Sequence, residues 1–280
     1  MSLKAKHELG QNFLFDDDTI EQIASYGELS ATDTVLEIGP GLGSLTSRLC
    51  RQAGRVVAVE LDIELAKKLK ANVAAINKDL YGQDWSDKLE IIEGDFLDYQ
   101  LTNLPANYKV VANIPYNVTS KIITKLWTSS NPPERAVLLV QYEVAERLVA
   151  QPGDLSVLAI ATNIYSVINR GIKVPAKLFR PAPKVDSRVV IMKRRPEPLV
   201  KIDQVDNFMA VVRAGFSEKR KKLRSSLAVG LSTNKSGAEQ LLKEANIDYN
   251  KRAQQLTFEE WQRLTDVVCH YKDLGKSVAK

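Results

Sequence analysis

Histidine and cysteine are nearly absent from this 280-residue chain, two of each, and that scarcity removes whole classes of chemistry. A structural zinc site needs four nitrogen or sulfur ligands at close spacing. His7, His270, Cys50 and Cys269 offer no such spacing, so no metal is expected. The two cysteines fit apolar helix positions better than a disulfide. Long hydrophobic runs are missing as well. "AVLLV" and "LSVLAIA" stop far short of the about 18 apolar residues that suggest a membrane span. The opening "MSLKAKHELGQNF" carries no apolar segment of the signal-peptide kind. A cytoplasmic protein with no membrane partner is expected.

What is present is ordinary in bulk and uneven in distribution. Apolar residues make up 44% and charged residues 26%, a globular balance. The length suits one α/β domain with a smaller appendage. The net charge of +5 is modest. "KRKKLR" (219–224), "KRR" (193–195) and the spaced Lys173, Lys177, Arg180 and Lys184 nevertheless gather positive charge in the later half, as an anionic polymer partner requires.

Four segments share one form, an apolar β-rich run that ends in special residues and leads into a helical pattern: "DTVLEIGPGLG", "RVVAVELD", "KLEIIEGDFLDY" and "YKVVANIPY". Such strands, separated by helices, indicate a parallel sheet covered on both faces. "AVLLVQYEVAERLVA" adds a fifth strand and helix, while "LSVLAIATNIYSVINRGIKV" and "SRVVIMKRR" read as further strands. "DDDTIEQIASYGEL" reads as a helix opened by Asp18, with Glu21 three residues on. A doubly wound, Rossmann-like domain over residues 1–195 is expected. Pro196 and Pro198 mark a boundary, and helical periodicity over 196–280 gives a smaller all-helical domain.

Ligands of open parallel sheets bind beyond the carboxyl ends of the strands. The first end, Gly39-Pro40-Gly41-Leu42-Gly43, has a G-x-G-x-G spacing unlike the dinucleotide fingerprint. It suits a neutral or cationic nucleoside, or is simply a tight strand-to-helix turn. Glu60, twenty-one residues beyond Gly39, is placed to accept from both ribose hydroxyls. Asp95 can accept from an adenine amine, and Phe96 can flank the purine. The fourth end is Asn113-Ile114-Pro115-Tyr116, a carboxamide, a rigid proline and an aromatic ring aimed at one spot.

Together these ends resemble the S-adenosylmethionine-dependent adenine N6-methyltransferases. "GQNFL" (10–14), "NIPYNVTSKII" (113–123), "FRPAPKVDS" (179–187), "FSEKRKKLRSSL" (216–227) and "RAQQLTFEEWQRL" (252–264) are similar to the ribosomal RNA adenine dimethyltransferase family, the last two to its small-subunit branch. The resemblance implies S-adenosylmethionine as cofactor and dimethylation of two adjacent adenosines near the 3' end of small-subunit ribosomal RNA. It implies a monomer acting on immature 30S-type subunits. It assigns Asn12 and Leu14 to the methionine end of the cofactor, Gly39 and Gly41 to the glycine loop, Glu60 to the ribose and Asp95 to the adenine amine. Asn113 falls at the boundary between cofactor and substrate.

In the chemistry so implied, Asn113 and Pro115 polarise and frame the amine, Tyr116 stacks on the target adenine, and Phe179 covers the opposite face. Lys219, Arg220, Lys221, Lys222 and Arg224, read as one basic helix, meet RNA phosphates. A large-subunit methylase of the antibiotic-resistance type and a non-catalytic assembly factor are the alternatives. Two departures stand out: the short "AQPGDLS" loop, and Lys121, which has no family role.

Overall fold

Aliphatic runs of strand length alternate with amphipathic stretches in the first two-thirds of the chain, and the fold follows that alternation. The computed structural model describes residues 11–273; His7 and Gly10 lie outside them. In chain order the elements are β1 (Phe13–Leu14), α1 (Asp17–Ser25), β2 (Thr34–Ile38), α2 (Ser44–Gln52), β3 (Arg55–Glu60), α3 (Ile63–Tyr81), β4 (Leu89–Glu93), β5 (Lys109–Asn113) and α4 (Thr119–Thr128). They continue with β6 (Arg135–Gln141), α5 (Tyr142–Leu148), α6 (Val157–Tyr165), β7 (Ser166–Val174), β8 (Phe179–Arg180) and β9 (Ser187–Arg194).

A seven-stranded sheet has the order β4-β3-β2-β5-β6-β9-β7. β2 to β6 pair in parallel, whereas β9 runs antiparallel between β6 and β7. The expected parallel sheet is therefore mixed at one edge, because β9 returns from β7 without the crossover helix that a parallel neighbour needs. Strand order reverses between β2 and β5. Their ladder holds two residue pairs, Val35↔Lys109 and Leu36↔Val110, against five between β2 and β3. The two strands part beyond those pairs, and a crevice opens outside their carboxyl ends, where doubly wound sheets bind ligands.

α1 starts earlier than the sequence suggests. Asp16, not Asp18, is its N-cap and accepts from the Thr19 N–H at 3.0 Å. Glu21 faces away from the cap and pairs with Arg51 instead. The stretch from Leu155 to Val174 also differs from expectation, since Val157–Tyr165 is helix and only the second half is strand. A continuous apolar run does not distinguish a buried strand from a buried helix.

Within the described residues the chain groups into two compact units, 11–146 with Ser166–Arg194, and Arg147–Tyr165 with 195–273. The division at 195/196 thus differs from the packing in two respects: 147–165 and Arg195 both group with the helices. The second unit holds α6, α7 (Val205–Gly215), α8 (Leu223–Gly230), α9 (Lys235–Glu244) and α10 (Phe258–Asp273) around buried Trp261 and Phe208. Phe216 stacks on Trp261 and Phe258 on Phe208. A Cβ at Gly215 would stand 2.4 Å from the Trp261 ring, so this helix position admits only glycine. The short loop before α6 is tied down: Gly153 donates to the Gln254 carbonyl at 2.8 Å, and the Gln254 side chain donates back to the Gly153 carbonyl at 2.8 Å. Among the described residues no helix is long and apolar enough to cross a membrane.

Candidate active site

The strand ends converge on the crevice between β2 and β5. After Ile38 the chain turns through Gly39, Gly41 and Gly43, all with positive φ, a backbone that side chains with a Cβ resist. Gly41 has a second reason, since a Cβ there would meet the Phe13 ring at 3.0 Å. Glu60, closing β3, braces this turn. One carboxylate oxygen accepts from the Gly41 N–H at 3.0 Å and the other from the Asp62 N–H at 2.9 Å. Burial pushes its pKa up, against those two backbone donors. A carboxylate offers about four acceptor positions, so roughly half remain for the hydroxyls of a ligand.

Beyond β4, Asp95 is exposed, and one of its oxygens accepts from the Leu97 N–H at 2.8 Å, closing a tight turn. Phe96 is buried beside it. Lys125 on α4 donates to the Leu97 carbonyl at 2.6 Å and lies 5.3 Å from the centre of the Phe96 ring. This lysine fastens the Asp95 loop to the helix that follows Tyr116, a link nothing in the local sequence announces. Lys121, one turn earlier, is exposed.

At the end of β5 the Asn113 amide nitrogen donates to the Asn12 carbonyl at 3.2 Å. That bond sets the amide so that its oxygen is the acceptor left for a ligand. Pro115 holds φ at −60°. Its carbonyl accepts from the Val118 N–H at 3.4 Å and the Thr119 hydroxyl at 3.3 Å. Tyr116 is half-buried at the cleft edge, with its phenol 2.6 Å from the Ser187 hydroxyl.

These groups line one cleft of about 1320 Å³, its open mouth included. Asn12, Leu14, Gly39, Gly41, Glu60, Asp95, Phe96, Asn113, Pro115 and Tyr116 all face it. Among the described residues the lining carries three carboxylates and no lysine, arginine or histidine. The third carboxylate, Glu37, was not singled out by sequence reasoning, although a lone acid inside the apolar "TVLEI" was the available signal. It is fully buried, and one of its oxygens has no hydrogen-bond partner. Burial, with Glu60 nearby, pushes its pKa up to about 8, while the Thr46 hydroxyl opposes the shift.

Two expectations are corrected. Phe179 does not line the cleft: its ring is 2% exposed in the apolar core, where β8 pairs with β1. A ring so enclosed has no free face for a base. The basic run is not a helix up to Lys222: Lys219, Arg220, Lys221 and Lys222 are exposed on turns, and α8 begins at Leu223. Lys222 donates to the Asn250 side chain at 2.8 Å, and Arg224 pairs with Glu239 at 2.6 Å, which commits its charge inside the helical unit.

A cleft with carboxylates, a glycine cradle and no cation repels phosphates and suits an adenosine that carries positive charge. The protein is an S-adenosylmethionine-dependent methyltransferase. Residues 2–268 match the model of the ribosomal RNA adenine dimethylase family, and the chain belongs to that family. It is similar to "Ribosomal RNA small subunit methyltransferase A" of Alkaliphilus metalliredigens, 38% identical over 93% of this chain and 90% of that protein. The same-named protein of a Geobacillus species is 37% identical over 95% and 92%. Among solved structures, the 23S rRNA methyltransferase ErmE superposes with a TM-score of 0.70 at 30% identity, over 92% of this chain and 100% of that one. A dimethyladenosine transferase from Plasmodium falciparum gives 0.75 at 25% identity, over 94% and 98%.

Proposed function

We propose that this enzyme dimethylates the N6 amines of two adjacent adenosines near the 3' end of small-subunit ribosomal RNA, acting as a monomer on immature subunits in the cytoplasm. The observation that carries the chemistry is Asn113. Its carboxamide is locked by Asn12, and its oxygen stands as an acceptor where the glycine turn meets Tyr116.

In this reading Glu60 accepts from the ribose hydroxyls, Asp95 from the adenine amine, and Phe96 flanks the purine. Asn12 and Leu14 cover the methionine end, and Gly39 and Gly41 let the backbone approach. When bound, the cofactor supplies an electrophilic methyl group. The target amine is a weak nucleophile because its lone pair is spread into the ring. The Asn113 oxygen draws on one N–H. The Pro115 carbonyl is already engaged, which leaves the Ile114 carbonyl as the backbone acceptor for the other. Acceptors fixed in advance stabilise the developing positive charge without reorganisation. No strong base is required, since the nitrogen becomes acidic once methylated. Tyr116 stacks on the base, a contact worth roughly 1–3 kcal/mol, and the exposed Lys219–Lys222 turn meets phosphates.

The likeness to a 23S enzyme at 30% identity keeps a large-subunit target as the second reading. Methyl transfer to unmethylated small subunits, naked small-subunit RNA and large-subunit RNA, with mass spectrometry of the adenines, decides between them. Dimethyladenosine in small subunits alone is expected, and modification of large-subunit RNA alone would reject the proposal.

A further inference from the structure

Tyr116 opens a three-residue 3-10 turn, Tyr116–Val118, a mounting too short to fix a large side chain by itself. What holds the ring is at the far end, where its phenol lies 2.6 Å from the Ser187 hydroxyl, 71 residues along the chain. Ser187 is fully buried and opens β9. It sits between two strands, paired with Gln141 on β6 and Val174 on β7. The preceding residue is pinned as well. The Asp186 carboxylate accepts from the Ala176 N–H at 3.0 Å and from Lys173 at 2.8 Å, and its carbonyl accepts from the Tyr142 N–H at 3.0 Å. The serine is a rigid post, and the tyrosine is a ring on a turn leaning against it.

We infer that Ser187 is a positioning residue for methyl transfer, its hydroxyl fixing the Tyr116 ring at the cleft edge so that the target base meets a platform already set beside Asn113. The inference rests on the reading of Tyr116 as that platform. Ser187 does not line the cleft and acts only through the phenol. Engaged in this way, the phenol is anchored to Ser187 and the ring presents its face to the base.

The test is a double-mutant cycle read by single-turnover methyl transfer to unmethylated small subunits, with cofactor affinity measured by calorimetry. Tyr116→Phe and Ser187→Ala should each slow transfer about 5- to 20-fold while cofactor affinity stays within about twofold, and the double variant should be no slower than either single one. Ser187→Thr, which keeps a hydroxyl, should recover most of the rate. Additive losses, or a wild-type rate for Ser187→Ala, overturn the inference. If Ser187→Ala does not fold, Tyr116→Phe decides, and a wild-type rate there overturns it too. Tyr116→Ala separates the two levels: a wild-type rate removes the platform itself. Slow Tyr116→Ala beside normal Ser187→Ala removes only the role of the serine.

Discussion

The cofactor cleft of the α/β unit and the basic turn of the helical unit use opposite strategies. In the cleft, Glu60, Asp95 and Asn113 each spend part of their hydrogen-bonding capacity on neighbouring backbone, which fixes what remains. On the turn, Lys219, Arg220 and Lys221 are exposed side chains whose use is their charge. Methyl transfer needs atoms held to within fractions of an ångström. Phosphate contact needs positive charge nearby and tolerates imprecise placement. Substitutions in the two regions should therefore fail differently.

The largest effect is expected in the cleft. Asn113→Ala should lower methyl transfer by about 10²- to 10³-fold, the range for removing one preorganised polar group, while cofactor binding stays measurable by calorimetry. Glu60→Ala should reverse that split. It weakens cofactor affinity about 10- to 100-fold, because the Gly41 N–H loses its acceptor along with the ligand. Equal losses of binding and rate in both variants would erase the division of labour. The intermediate effect belongs to the turn: Lys221→Ala with Lys222→Ala should flatten the salt dependence of RNA binding by about 0.7 per lost phosphate contact. Lys222 is already held by Asn250, so a slope change near one contact would identify Lys221 as the working charge, and an unchanged slope would reject phosphate contact.

The remaining effect concerns Glu37 and is read in stability, not in methyl transfer. Its folded-state pKa of about 8 lies above the ordinary 4.5, so the folded protein keeps a proton that the unfolded chain releases. Stability from this group is complete below pH 4.5 and is lost as pH rises toward 8. Glu37→Gln should flatten that decline in thermal unfolding between about pH 5 and 8; a parallel decline in both proteins would show that the carboxyl titrates normally.

Much of the cleft was legible because each strand-end motif is local. A glycine turn, an acid after an apolar run and a carboxamide before a proline keep their meaning wherever the strand lies. Glu37 escaped because a buried acid in a strand looks like any half-exposed alternation. Phe179 misled for the converse reason: an aromatic in a recognised stretch carries no mark of which way its ring faces, and pairing with β1 turned it inward. Val157–Tyr165 read as strand because apolar continuity lacks a period, and the basic run read as helix because charge says nothing of backbone.

By itself the sequence determined the alternation of strands and helices, the glycine cradle and the acids that accompany it, since these follow from local sterics and hydrophobic period. Only the tertiary structure decided that β9 inserts antiparallel between β6 and β7, that β2 and β5 part to open the crevice, and that a serine 71 residues away steadies Tyr116. Those outcomes depend on which distant strands become neighbours, a choice made by packing the whole sheet and written in no single segment.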